Sequence, residues 1–204
     1  MTMHPQRPLL LLCLLSLLSL LSLLSGCAGG GASMASNALE AAGLRKPAPP
    51  LVPEAQQPPR KVTLRLHAAK RLNVDARGQS LALLVRVYKL RQRAAFDTAP
   101  YAAFASAQAE REALGSDLVE VKEVTLVPGQ QLELADKVAR EAGYVGVVAL
   151  FHSPAREGWR LAFAAPDAEK AGVTVGLYAC AMSVGSGAQA SGAAVKPLSL
   201  VRCQ

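Results

Sequence analysis

Val62-Thr63-Leu64-Arg65-Leu66-His67 decides the fold class, because apolar and polar residues alternate through it. Side chains on a strand point to opposite faces in turn, so a period of two buries Val62, Leu64 and Leu66 and wets the residues between. A second run, Tyr144-Val145-Gly146-Val147-Val148-Ala149-Leu150-Phe151, is apolar throughout and β-branched, as a strand buried on both faces should be. Residues 81–90 read as another strand. Its start is apolar on both faces and therefore central, and Arg86 and Lys89 then open one face to water. Residues 118–127 read as a strand pair or as one bulged strand, because the apolar phase flips at Lys122-Glu123. Leu132 and Leu134 mark a short strand, and Trp159, Leu161 and Phe163 another. Residues 173–184 read as one long strand holding Cys180, and residues 198–203 as an edge strand. Residues 136–142 read as a helical turn, 166–172 as a loop and 185–192 as a linker. Asp97-Thr98-Ala99-Pro100 carries helix-start residues, and an Ala-rich run follows to Leu114 with Gly115 placed to stop it. Tyr101, Phe104 and Leu114 would form the buried stripe of this insert, about residues 98–114. Short strands with turns every eight to twelve residues or so make a β-sandwich.

The N-terminal part carries different information. A short polar start with His4 and Arg7 precedes residues 9–24, almost all Leu, and Leu24-Ser25-Gly26-Cys27 closes the run. Basic start, apolar core and small-residue exit are the pattern of an export signal. The run is shorter than the roughly 18–20 residues a spanning helix needs. Leu24, Ser25 and Gly26 before a cysteine resemble a bacterial lipobox, with cleavage ahead of Cys27 and acyl chains on Cys27; the alternative is an uncleaved anchor helix. More than one acyl chain gives stable membrane anchoring. Ala28, not Asp, follows Cys27, which favours the outer membrane with the rest of the chain in the periplasm. The expected organisation is a signal peptide at 1–26, a lipidated Gly- then Pro-rich tether at 27–60, and a β-sandwich domain with a C-terminal tail at 61–204. Pro-rich chain is extended, so the tether can hold the domain away from the bilayer.

Net charge is +7, and its distribution is uneven. Residues 60–93 hold ten Lys/Arg and the single acid Asp75, a local balance of +9. Such a field speeds encounter with an acidic partner and is weakened by salt; the alternative is a solvated basic face with no partner. Aromatics make up 4% of the chain, so Val, Leu and Ala must build the core. With Cys13 removed and Cys27 acylated, Cys180 and Cys203 remain as an even pair in an oxidising compartment. A disulfide is expected there, fastening the tail to the Cys180 strand, against the alternative of two free thiols.

Nothing in the spacing proposes catalysis. His67 and His152 lie far apart, and neither has a Cys or second His at metal-ligand spacing. Nucleophile-elbow, Ser-x-x-Lys, His-Glu-x-x-His and phosphate-loop patterns are missing from the sequence. Glu110 and Glu112 lie two apart on a helix and form no acid pair. The expectation is a binding protein with no metal, cofactor or small-molecule substrate. Nucleic acid is an unsuitable partner for an exported, lipid-anchored chain.

Taken together, Leu72-Asn73-Val74-Asp75-Ala76-Arg77-Gly78-Gln79-Ser80-Leu81, Val85-Arg86-Val87-Tyr88-Lys89-Leu90, Leu114-Gly115-Ser116-Asp117-Leu118, Pro128-Gly129, Tyr144 to Phe151 and Trp159-Arg160 resemble the TssJ family. These are outer-membrane lipoproteins of type VI secretion systems. The resemblance runs from about Val62 to Val184. Ala82 and His152 depart from it, standing where the family often has Pro and Arg. It implies a transthyretin-like β-sandwich with an added helical element and no catalysis. It also implies that the loop between the first two strands contacts the periplasmic domain of the inner-membrane protein TssM. On this chain that loop spans residues 70–80, with Lys70, Arg71, Leu72, Asn73, Val74, Asp75, Ala76, Arg77 and Gly78 as the binding residues and an acidic TssM surface facing them. Asn73, Asp75 and Gly78 are turn formers, so they can equally serve loop shape alone. The competing readings are a periplasmic lipoprotein binding peptidoglycan or lipopolysaccharide through its basic face, and a transthyretin-like hydrolase, for which two separated histidines are poor material.

Overall fold

The computed structural model describes residue 53, residues 56–192 and residues 201–203. The export segment, the lipobox with Cys27, and nearly all of the tether lie outside the described residues. Eight strands follow in order: β1 (Arg60–Ala68), β2 (Leu83–Leu90), β3 (Leu118–Leu126), β4 (Gln131–Val138), β5 (Tyr144–Leu150), β6 (Arg160–Ala164), β7 (Val173–Leu177) and β8 (Met182–Val184). They form two four-stranded sheets, β4-β1-β7-β8 and β3-β2-β5-β6. Pairing is antiparallel except between β1 and β7. The alternation read from Val62 to His67 is borne out, with Val62, Leu64 and Leu66 buried between the sheets. β5 has its five central residues buried, and β2 is enclosed further still, with seven of its eight residues buried.

Burial of β5 on both faces needs a third layer. Helices α1 (Ala94–Thr98) and α2 (Ala107–Leu114), with a 3₁₀ turn at Tyr101–Ala105 between them, supply aromatic cover for the outer face of β2 and β5. Tyr88, Phe96 and Phe104 form a triangle with ring centroids 5.4–5.8 Å apart. Trp159 stacks edge-on to Phe104 and Tyr101. Such pairs stabilise by about 0.5–1.5 kcal/mol beyond their area. Gly146 is the strand position beneath this cluster: a Cβ there would lie 2.9 Å from the Phe96 ring. Arg160 ties the insert down from β6, donating to the carbonyls of Phe96 and Ala99 and stacking on Trp159.

Several local readings are corrected by this packing. Arg86 and Lys89 do not face water. Arg86 is 9% and Lys89 4% exposed, because each is enclosed with carboxylates. Arg86 bonds Glu110 on α2, Glu123 on β3 and the Phe104 carbonyl. Burial opposes its charge, but Glu110 and Glu123 outweigh that and hold it protonated. The helix start is Ser106, not Asp97: its hydroxyl accepts from Ala109 N–H, whereas Asp97 and Thr98 end α1. Pro100 forces Ala99 extended and so separates the helices. β3 is one strand in even register with β2 from Leu126 to Glu120, and its irregularity falls opposite Lys89/Leu90 rather than at Lys122-Glu123. The apparent flip arises because Glu120 and Lys122 occupy inward positions at a sheet edge and are neutralised there.

Residues 136–138 continue β4 rather than starting a helical turn. Residues 166–172 are not a loop: α3 (Ala165–Ala171) has Pro166 in its first turn, where Pro is tolerated, and Gly172 as its cap at φ +68°. Residues 173–184 break into the β7–β8 hairpin, with Cys180 in its turn rather than on a strand. Residues 201–203 are not strand, and residues 198–200 lie outside the described residues. The expected linker at 185–192 packs: Ala188 is buried and Ala190 bridges to Phe163 on β6.

At the β3 and β4 edge the sandwich gapes. A cleft of about 260 Å³ opens there between apolar walls that include Val62, Val87 and Leu134. Across its mouth Asp136 of β4 meets Lys122 of β3 and Lys89 of β2, and Lys89 also meets Glu120. Burial pushes the Asp136 carboxyl up, but the hydrogen bond from Lys122 and the Lys89 charge outweigh it and hold it below its ordinary 3.8. A carboxylate lowered in the fold contributes stability above its unfolded pKa, lost as pH falls through its folded value. The stability gap between the native chain and Asp136→Asn should therefore be full near pH 6–7 or so and close on acidification below about pH 4. Urea unfolding across pH checks this, and a gap independent of pH contradicts it.

Candidate functional site

The basic segment 60–93 is largely neutralised on folding. Arg60 pairs with Glu169, Arg65 with Glu133, Arg86 with Glu110 and Glu123, Lys89 with Glu120 and Asp136, Arg91 with Glu141, and Arg93 with Asp97. Glu110, Glu120, Glu123, Glu133, Asp136, Glu141 and Glu169 come from α2, β3, β4, α3 and the turn after β4, so the acidic later half of the chain answers the basic earlier half. Within this segment Lys61, Lys70, Arg71 and Arg77 have no acidic partner among the described residues. Three of these four lie in the β1–β2 loop.

That loop is built rather than loose. Asp75-Ala76-Arg77-Gly78 form a turn closed by Gly78 N–H to Asp75 O at 3.0 Å. Asp at the first and Gly at the fourth position are what a type I turn prefers. The Asp75 carboxylate accepts from the N–H groups of Arg77 and Gln79 at 2.9 and 2.8 Å, and Gly78 takes φ +79°. Val74 bridges Ser80, Leu81 N–H reaches Leu72 O, and the Ser80 hydroxyl donates to Lys70 O. The tip is therefore a small hairpin closed on itself.

Its base is anchored by Leu72 and Asn73. Leu72 is fully buried. Asn73 has φ +44°, the left-handed region that Asn tolerates better than other side chains. Its amide group donates to Ala82 O at 2.7 Å, and its carbonyl accepts from His152 N–H at 2.6 Å. Its backbone N–H donates to Tyr178 O, and that of Val74 to Ala179 O. The turn that receives them is fixed in its own right: Cys180 is disulfide-bonded to Cys203, and Cys180 O accepts from Ala155 N–H.

The nine loop residues singled out in the sequence thus divide. Lys70, Arg71, Ala76, Arg77 and Gly78 are exposed and present the charge; Val74 and Asp75 are half-buried; Leu72 and Asn73 are buried and hold the loop in place. His152, Tyr178 and Ala179 receive the loop through backbone groups, which leave no mark in a sequence. Cys27 with Leu24, Ser25 and Gly26 lies outside the described residues. Among the described residues no three His, Cys, Asp or Glu side chains gather where they could hold a metal. The cleft at the β3 and β4 edge presents no free cation, since Lys89 and Lys122 are both held by carboxylates.

The profile of the type VI secretion lipoproteins (VasD, EvfM, TssJ) matches residues 60–180. Among solved structures, the T6SS lipoprotein TssJ1 from Pseudomonas aeruginosa is 32% identical over 63% of this chain and 97% of its own, with a TM-score of 0.57. A chain of a type VI membrane complex is 24% identical over 61% of this chain and 97% of its own, TM-score 0.57. A chain of the structure described as the T6SS protein TssM C-terminal domain (869-1107) from EAEC is likewise 24% identical over 61% and 97%, TM-score 0.52. These last two share the fold. No curated protein matches the chain in sequence.

Asn73 is the residue on which the loop's placement turns. Asn73→Ala leaves the partly buried His152 N–H and Ala82 carbonyl without their partner and forces a Cβ-bearing apolar residue to positive φ, for a loss of about 2–3 kcal/mol. Asn73→Gly relieves the backbone and loses only the side-chain bonds, so it should be about 1 kcal/mol milder. Equal losses from the two in urea unfolding contradict the backbone part of this assignment.

Proposed function

Because the chain belongs to the TssJ family of type VI secretion lipoproteins, which are structural proteins and not enzymes, we propose that its β1–β2 loop binds the periplasmic domain of TssM. In this reading residues 1–26 are removed on export and Cys27 is acylated. Residues 27–60 tether the sandwich to the periplasmic face of the outer membrane, where Ala28 in place of Asp favours delivery. The protein then joins the outer membrane to the secretion membrane complex.

One observation carries the loop assignment. Folding pairs every Lys and Arg of β1 and β2 except Lys61 with acids and leaves Lys70, Arg71 and Arg77 uncompensated on a braced projection. A rigid cluster of like charge steers an acidic partner and is costly against a basic one. Ordering of the loop is complete before docking, so binding does not have to offset its entropy.

The test uses the full-length lipidated chain in detergent with the TssM periplasmic domain. Affinity should fall steeply between about 50 and 500 mM salt, as exposed charges are screened. Lys70→Glu combined with Arg71→Glu and Arg77→Glu should weaken binding at least about tenfold at low salt and flatten the salt response. Undiminished binding by that triple variant contradicts the reading. Retention of the chain on peptidoglycan or lipopolysaccharide, with none on TssM, favours the cell-envelope alternative.

A further inference from the structure

The loop does not stand alone at its end of the sandwich. Gly129 N–H of the β3–β4 turn donates to Ala69 O on one side of it. The β7–β8 turn receives it on the other, through Tyr178 O and Ala179 O. Among the described residues the exposed large apolar side chains are Val121, Val127 and Tyr178, at 38%, 54% and 37%. Val127 and Tyr178 belong to the two turns that flank the loop. A single exposed apolar residue needs no explanation. Two of them on the elements that hold the same charged loop do. Basic groups extend along the Tyr178 side as well. Arg156 is exposed in the β5–β6 turn, which is bonded to Cys180 O through Ala155 N–H, and Arg202 is exposed beside Cys203, which is bonded to Cys180.

We propose that the docking surface is composite: an apolar contact from Val127 and Tyr178 on either side of the basic loop, with Arg156 and Arg202 enlarging the positive rim. This rests on the loop reading above, and its occupant is the same acidic protein domain. The division of labour is physical. Exposed charges set the encounter rate and the salt dependence, whereas desolvated aromatic and aliphatic contacts slow dissociation. Tyr suits the second task because it buries a large, stiff side chain at little entropic cost.

The experiment measures association and dissociation of the full-length lipidated chain with the TssM periplasmic domain, for Tyr178→Ala, Val127→Asp and Arg156→Glu. Val121→Asp, on β3 and outside both turns, is the control, and thermal unfolding of each variant confirms the fold. Tyr178→Ala and Val127→Asp should each weaken binding about fivefold or more, through faster dissociation, with the salt slope of the native chain. Arg156→Glu should slow association and reduce that slope. Native affinity in both Tyr178→Ala and Val127→Asp overturns the composite surface while the loop reading stands. An equal loss from Val121→Asp also overturns it. Native affinity in the loop triple variant sinks the loop reading itself, whatever the flanking variants do.

Discussion

Asn73 is the constraint on which the charged loop depends. One short side chain accepts from His152 and donates to Ala82, while its own N–H reaches Tyr178 O. These partners lie in the second residue after β5, just ahead of β2, and in the β7–β8 turn. The residue therefore ties both sheets together where the chain crosses from one to the other. Its left-handed backbone turns the chain outward at that point. Without this anchor Lys70, Arg71 and Arg77 would sit on a segment free to collapse onto the nearest carboxylates. With it, their charge is held away from the acids that neutralise the strands.

Charge is organised by the same logic across the fold. The basic strands β1 and β2 are answered by acids from α2, β3, β4 and α3, several of them in partly buried pairs. Breaking a buried pair leaves an uncompensated charge and is far costlier than losing a surface one. The Arg86–Glu110 pair under the helical insert is of the first kind, and the Arg65–Glu133 pair of the second. Neutralised strands and an uncompensated loop together turn a diffuse excess of bases into a directed one. The disulfide acts at the same end, since Cys180 sits in the turn that receives the loop.

Much of this was legible from residue order. A period of two marked β1, the uninterrupted apolar run marked β5, and the lopsided charge pointed to the segment that contains the loop. The β-sandwich followed from the strand pattern, and the family from the resemblance carried by the ordered motifs between Val62 and Val184. Where the reading failed, the cause was usually a partner supplied from elsewhere in the chain. Arg86 and Lys89 looked solvated because the carboxylates that enclose them lie on α2, β3 and β4. α3 looked like a loop because Pro166 and Gly172 bound a short segment, yet Pro166 sits in the first turn, where Pro is favoured, and Gly172 is the cap. The β7–β8 turn was hidden because Tyr178 to Met182 contains no Gly or Pro, and a disulfide with contacts to Ala155 and Gly158 fixes it instead. Asn73 was visible as a turn former, but its half-buried bonds to Ala82 and His152 depend on a backbone angle that composition does not encode.

The loop belongs to the rigid fold and is not a mobile strap. Amide hydrogen exchange of the full-length chain, without a partner, measures this directly. The N–H groups of Asn73, Val74 and His152 should exchange slowly, approaching the protection of central β2 and β5 amides, because opening them requires breaking the contact between sheets. Exchange of these three at the rate of an unstructured peptide, with β2 and β5 still protected, would show the loop to be a mobile strap after all.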